Sequence, residues 1–129
     1  MLHCGDAVEM PKTQLATPHL WILITEPIEE TGLAVIVNIT SLRPHSDKTT
    51  IIVSGEHPYI THDSVVLYAD AKITDVRLIE NGIAQGHDTI RLCAPCEAKL
   101  LNRIQEGIGN SPFTSEKVYN FCEERWKQK

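Results

Sequence analysis

Leu33-Ala34-Val35-Ile36-Val37-Asn38-Ile39-Thr40 is the stretch on which the fold turns. Side chains alternate across a strand, so Leu33, Val35, Val37 and Ile39 share one face, while Asn38 and Thr40 close the other with two polar groups. Upstream, His19-Leu20-Trp21-Ile22-Leu23-Ile24-Thr25 is apolar on both alternating faces, as expected of a strand buried on two sides. Glu26-Pro27 to Thr31-Gly32 reads as the hairpin connection between them. Downstream, the polar loop Ser41 to Lys48 leads into the β-branched run Thr49-Thr50-Ile51-Ile52-Val53, a third strand. Ser64-Val65-Val66-Leu67-Tyr68 reads as a fourth and Ala71 to Ile79 as a fifth. In the fifth the apolar parity switches between Ile73 and Val76, which suggests a bulge near Thr74-Asp75. An Asn81-Gly82 turn signal then precedes a short strand, Thr89 to Leu92.

Beyond that point the period changes. From Pro95 to Ile108, Leu100, Leu101, Ile104 and Ile108 recur at helical spacing, and Gly109-Asn110 ends the helix. Ser115 caps a last helix with Val118, Tyr119, Cys122 and Trp126 along one face. Five to six mostly antiparallel strands followed by two helices describe an α+β protein built on a curled sheet or barrel. The expected layout is one domain over 1–129, with the barrel over 5–93 and helices over 94–109 and 115–127.

Composition narrows the function classes. The 129 residues carry 12 Lys+Arg against 17 Asp+Glu, a formal charge of −5, which weighs against indiscriminate nucleic-acid binding and requires a local basic patch for any such partner. The apolar run Leu20 to Ile24 is far short of the ~20 residues that cross a membrane. Met1 to Asp6 shows no secretory pattern, so a cytoplasmic protein is expected. Four cysteines then read as reduced thiols rather than a disulfide framework. Cys93 and Cys96 form a C-x-x-C pair between a strand and a helix. Thiol redox chemistry and a zinc site with two distant ligands are both open readings. The simpler one is two small structural thiols, with Pro95 at the first helical position.

Three features carry candidate chemistry: six histidines, among them His57 and His62; the polar strand end Asn38, Thr40 and Ser41; and the loop cation Arg43. Taken singly, Arg43 reads as a solvated loop charge and Thr40 as a β-branched strand end. In a straight strand, His57 and His62 would point to opposite faces, but Gly55 and Pro58 argue for an irregular backbone that brings both imidazoles to one rim.

Four stretches in order resemble the PemK/MazF-like toxins of bacterial toxin-antitoxin systems. They are Gly5-Asp6-Ala7-Val8, His19 to Thr25, Val35-Ile36-Val37-Asn38-Ile39-Thr40-Ser41, and Asp63 to Asp75. The segment Gly55 to Ser64, with its His-Pro-aromatic step, looks like a divergent branch of the same group. The resemblance implies an SH3-like antiparallel β-barrel with a helical C-terminus. It also implies metal-independent endoribonuclease cleavage of single-stranded RNA without a cofactor, a homodimer, and a cognate antitoxin. Thr40 matches the family's functional threonine. His19 stands where the family has an arginine, and Leu67 and Ala69 where other members have Arg-x-Asp.

Cutting RNA without a metal needs a base for the ribose 2′-hydroxyl, an acid for the departing 5′-oxygen, and donors for the phosphorane. Histidine, with an unperturbed pKa near ~6.5, suits the first two roles. The expected catalytic set is therefore His57 and His62 sharing acid-base duty, with His19 and Thr40 assisting. Ser41, Arg43, Lys48 and Ser64 are the expected substrate-binding residues. A competing reading is a non-catalytic binding protein on the same barrel, like the CcdB-type gyrase poisons, acting through Trp126 and the last helix.

Overall fold

A computed structural model of the chain describes residues 1–13 and 16–127. Its strands are β1 (Ala7–Pro11), β2 (Pro18–Leu23), β3 (Leu33–Ser41), β4 (Ile51–Ile52), β5 (Ser64–Asp75) and β6 (Arg91–Cys93); its helices are α1 (Val76–Ala84), α2 (Ala98–Asn110) and α3 (Glu116–Lys127). The strands form one sheet in the order β4-β5-β3-β2-β1-β6, with every ladder antiparallel. The architecture is α+β, a six-stranded antiparallel half-barrel with helices, as the sequence led us to expect.

The centre of the sheet is covered twice. Val35, Val37 and Ile39 of β3 and Leu20 and Ile22 of β2 are buried against Leu100, Ile104 and Ile108 of α2 and Val118 and Cys122 of α3. Ala34 and Ile36 of β3 and Trp21 and Leu23 of β2 face the other way, onto Val8 and onto Val76 and Ile79 of α1. This explains why both parities of β2 are apolar: each side chain leaves water on its own face.

Several details differ from the sequence reading. The strand expected over Ala71 to Ile79 stops at Asp75, and Val76 to Ile79 are helical. β5 runs without a break from Ser64 to Asp75, and Asp75 then caps α1 by accepting the Arg77 backbone N–H at 3.0 Å. The parity switch at Val76 marks this strand-to-helix junction, where Val76 and Ile79 fall on one helical face. The irregularity lies earlier in β5, where Ile36 pairs with Lys72 but Asn38 pairs with Leu67. Asn81-Gly82 is not a turn but part of α1, where Gly82 lies close under the tip of the Ile90 side chain. At the N-terminus, β1 is a strand that alternation in the sequence did not announce, and Pro95 precedes α2 rather than opening it.

α2 is fixed to the sheet by a buried polar contact. The Tyr68 hydroxyl donates to the Ile104 carbonyl at 2.8 Å, so the Thr50 hydroxyl, also 2.8 Å away, donates to Tyr68. Gly107 leaves room for this group, since a Cβ would stand 1.8 Å from the Tyr68 hydroxyl oxygen and 2.6 Å from Thr50 Oγ1. Gly107→Ala therefore destabilises the protein by about 1–3 kcal/mol from overpacking, with a further loss where the Tyr68 bonds break. Urea unfolding, read as a lowered midpoint at unchanged slope, measures it.

Burial pushes the Tyr68 hydroxyl up to about 12, the Cys122 thiol to about 12 and the Cys96 thiol to about 11. Each folded value lies above the unfolded one, so the unfolded chain releases these protons first. Stability is thus complete below the ordinary thiol value of 9.0 and falls as pH rises through the interval up to about 12. Melting temperatures recorded between neutral and strongly alkaline pH check this slope.

Candidate functional site

The outer end of the β2–β3 ladder opens into a cleft. Thr17, Pro18, His19 and Leu20 line it from the start of β2, and Ile39, Thr40 and Ser41 from the end of β3. Tyr59, Ile60, His62 and Ser64 close it from the loop that leads into β5. The ladder registers Leu20 opposite Ile39, so His19 and Thr40 are the next residues outward on their strands. Both line the cleft, beside Leu20 and Ile39 of the core face.

His62 is set by the β3–β5 pairing. Ser41 pairs with Ser64 across that ladder, the Leu42 N–H reaches the Asp63 carbonyl at 3.1 Å, and the Ser64 hydroxyl donates to the His62 carbonyl at 2.8 Å. The His62 ring then meets the Ser41 hydroxyl, with Nε2 and Oγ 2.7 Å apart. This pair can relay a proton.

His57 takes another course, and the expectation that it shares a rim with His62 is corrected. It is 2% exposed and does not line the cleft. Its Nε2 lies 2.7 Å from the Ala94 carbonyl, and its Nδ1 accepts the Tyr59 backbone N–H at 3.0 Å. A carbonyl only accepts, so Nε2 carries the proton and Nδ1 supplies the lone pair. Both nitrogens are committed within the protein.

Arg43 and Lys48 are exposed on the loop that leaves the cleft after Ser41, and neither lines it. Lys48 Nζ donates to the Pro44 carbonyl at 2.7 Å. Asn38, the first of the polar strand-end residues, is fully buried; its Nδ2 donates to Asp70 at 3.2 Å. The structure therefore gathers His19, Thr40, Ser41, His62 and Ser64, and keeps His57, Arg43, Lys48 and Asn38 out of the cleft.

Tyr59 was not anticipated as a site residue, although the His57-Pro58-aromatic step pointed toward it. Its hydroxyl donates to Glu9 Oε2 at 2.7 Å, and Glu9 Oε1 accepts from Arg91 Nε at 3.0 Å and Nη2 at 2.8 Å. The Tyr59 and Arg91 bonds hold the Glu9 carboxyl below its ordinary value. Burial and the Glu9 carboxylate push Tyr59 up to about 12, so it is neutral at physiological pH. Glu9 and Arg91 stand 82 positions apart, and no local pattern joins them.

The C-x-x-C pair gains no activation. Cys93 ends β6, Cys96 is buried ahead of α2, and both are free thiols. Burial raises the Cys93 thiol, with Glu9 adding to the effect, and raises Cys96 to about 11. A nucleophilic thiol needs the opposite shift. Among the described residues no group of three His, Cys, Asp or Glu side chains is arranged to hold a metal ion. Trp126 is half-buried against the core and donates its indole N–H to the Ile24 carbonyl at 3.3 Å. No helix among the described residues is long and apolar enough to cross a membrane.

No family description and no curated protein matches the chain by sequence. Among solved structures, the fold is similar to that in the crystal structure of MazE-MazF (Form-III) from Deinococcus radiodurans. The TM-score is 0.57 at 15% identity, over 84% of this chain and 94% of that one. The chain thus has a MazF-like fold.

Raised thiol values make a simple expectation. At neutral pH, a disulfide reagent such as DTNB modifies Cys96 and Cys122 only when the protein is unfolded, and Cys93 more slowly than it modifies free glutathione. Thiolate release followed by absorbance, with and without denaturant, tests it.

Proposed function

We propose that this chain is a toxin-type endoribonuclease that cleaves single-stranded RNA without a metal or cofactor, using His62 and His19 as its acid-base pair. The observation that carries this reading is the cleft itself, which brings His19, Thr40, Ser41 and His62 together at one end of a MazF-like sheet. Sequence placed His57 beside His62 in this role. With both nitrogens of His57 occupied, His19 is the better second imidazole.

The chemistry follows from the groups present. One imidazole removes the proton from the ribose 2′-hydroxyl, whose oxygen attacks the adjacent phosphorus. The other delivers a proton to the 5′-oxygen as the P–O bond breaks, leaving a 2′,3′-cyclic phosphate. Thr40 and Ser41 hydroxyls supply hydrogen bonds to the charged phosphoryl oxygens. Ser41 also orients the His62 ring through the 2.7 Å contact at Nε2. Arg43 and Lys48, on the adjoining loop, provide a positive local field in a chain whose net charge is −5.

The same reading carries the biological setting. An endoribonuclease acting on messages works in the cytoplasm, as a homodimer held in check by a cognate antitoxin. The similar fold was solved in a MazE-MazF crystal, which supports the partner by analogy.

Purified protein in EDTA is expected to cut single-stranded RNA and leave 2′,3′-cyclic ends. His62→Ala or His19→Ala should each lower the rate by roughly 10²–10⁴-fold. Ser41→Ala should cost less, because it removes an orienting bond and leaves both imidazoles. Intact RNA from a protein that still arrests growth would instead favour the non-catalytic binding reading.

A further inference from the structure

Tyr59 sits in a closed circuit of hydrogen bonds that nothing in the cleavage chemistry requires. The Ala94 carbonyl accepts from His57 Nε2 at 2.7 Å, and His57 Nδ1 accepts the Tyr59 N–H at 3.0 Å. The Tyr59 hydroxyl donates to Glu9 at 2.7 Å, and Glu9 holds Arg91 at 2.8 Å. Arg91 and Ala94 are three positions apart at β6, which closes the circuit. An aromatic side chain is thereby pinned at its backbone and at its hydroxyl, yet remains 37% exposed in the wall of the cleft.

We infer that Tyr59 is a nucleobase-stacking platform, and that His57, Glu9 and Arg91 are positioning residues that hold its ring for a base of single-stranded RNA. This rests on the RNA-cleft reading above. The hydroxyl is spent on Glu9, so what Tyr59 offers the cleft is its ring rather than a polar handle. The same cleft is lined by His19, Ser41 and His62, groups suited to ribose and phosphate. Polar groups for the backbone and an aromatic ring for the bases, together in one cleft, are the means by which single strands are held. Pinning the ring in advance removes the entropy that a free tyrosine would lose on binding. The circuit also gives buried His57 a task in this protein: it fixes where Tyr59 starts.

Binding of two 2′-fluoro hexanucleotides, which lack the attacking hydroxyl, separates the possibilities. One carries uracil at every position; the other is abasic with the same number of phosphates. The expected result is that Tyr59→Ala weakens the uracil oligomer roughly five- to a hundredfold and the abasic one by less than about twofold, while Tyr59→Trp retains binding of both. His57→Gln should weaken the uracil oligomer in the native background and add nothing in the Tyr59→Ala background, since it acts through that ring. Equal losses for both oligomers, or no loss in Tyr59→Ala while the native protein binds, would overturn the platform and leave the RNA cleft standing. Failure of the native protein to bind either oligomer would overturn the RNA cleft and the platform together.

Discussion

Everything in this molecule is built around β3, which pairs with β2 on one edge and β5 on the other and is covered on both faces. A strand so enclosed must be apolar at every position where a helix lies above or below it. From Ala34 to Val37 no side chain is exposed to water, with α2 and α3 on one side and α1 on the other. Where the cover ends, the constraint lifts, and Thr40 and Ser41 appear. The cleft is thus the place where the two-sided core runs out of helix, and its polar lining follows from the same burial rule that made the rest of the strand apolar.

The break in register within β5 matters for the same reason. Ile36 faces Lys72 and Asn38 faces Leu67, so β5 carries extra residues opposite a short step of β3. Those residues include Asp70, which receives the buried Asn38 amide and forms an ion pair with Lys12. Lys72, just past the break, lies 4.9 Å from the Trp21 ring centroid, close enough for a cation–π contact. Beyond the break, the pairing resumes in time to set Ser64 opposite Ser41, and hence to bring His62 to the Ser41 hydroxyl.

Much of this was readable from residues alone. Alternation identified β2 and β3 and placed Val35, Val37 and Ile39 on one face, because a two-residue period survives any tertiary context. Helical spacing identified the core residues Leu100, Ile104 and Ile108 of α2 for the same reason. The strand reading of Ala71 to Ile79 held to Asp75 and failed beyond it, because Val76 and Ile79 suit a strand of shifted parity as well as the first turn of a helix. Only the Asp75 cap and the Trp21 face beneath α1 resolve that ambiguity.

For the site, sequence determined the supply: His19, Thr40, Ser41, His62 and Ser64 were nominated from strand ends and a loop, and they meet in one cleft. Tertiary structure decided the assignments. Whether a histidine faces solvent or spends both nitrogens indoors depends on a carbonyl 37 positions away, as at His57 and Ala94. Whether a tyrosine is loose or pinned depends on Glu9, 50 positions away. Periodicity reports which side of an element a residue takes, since it is set by the backbone nearby. Partners such as Ala94 for His57 and Glu9 for Tyr59 come from distant parts of the chain, and only the packed sheet brings them within 3 Å of one another.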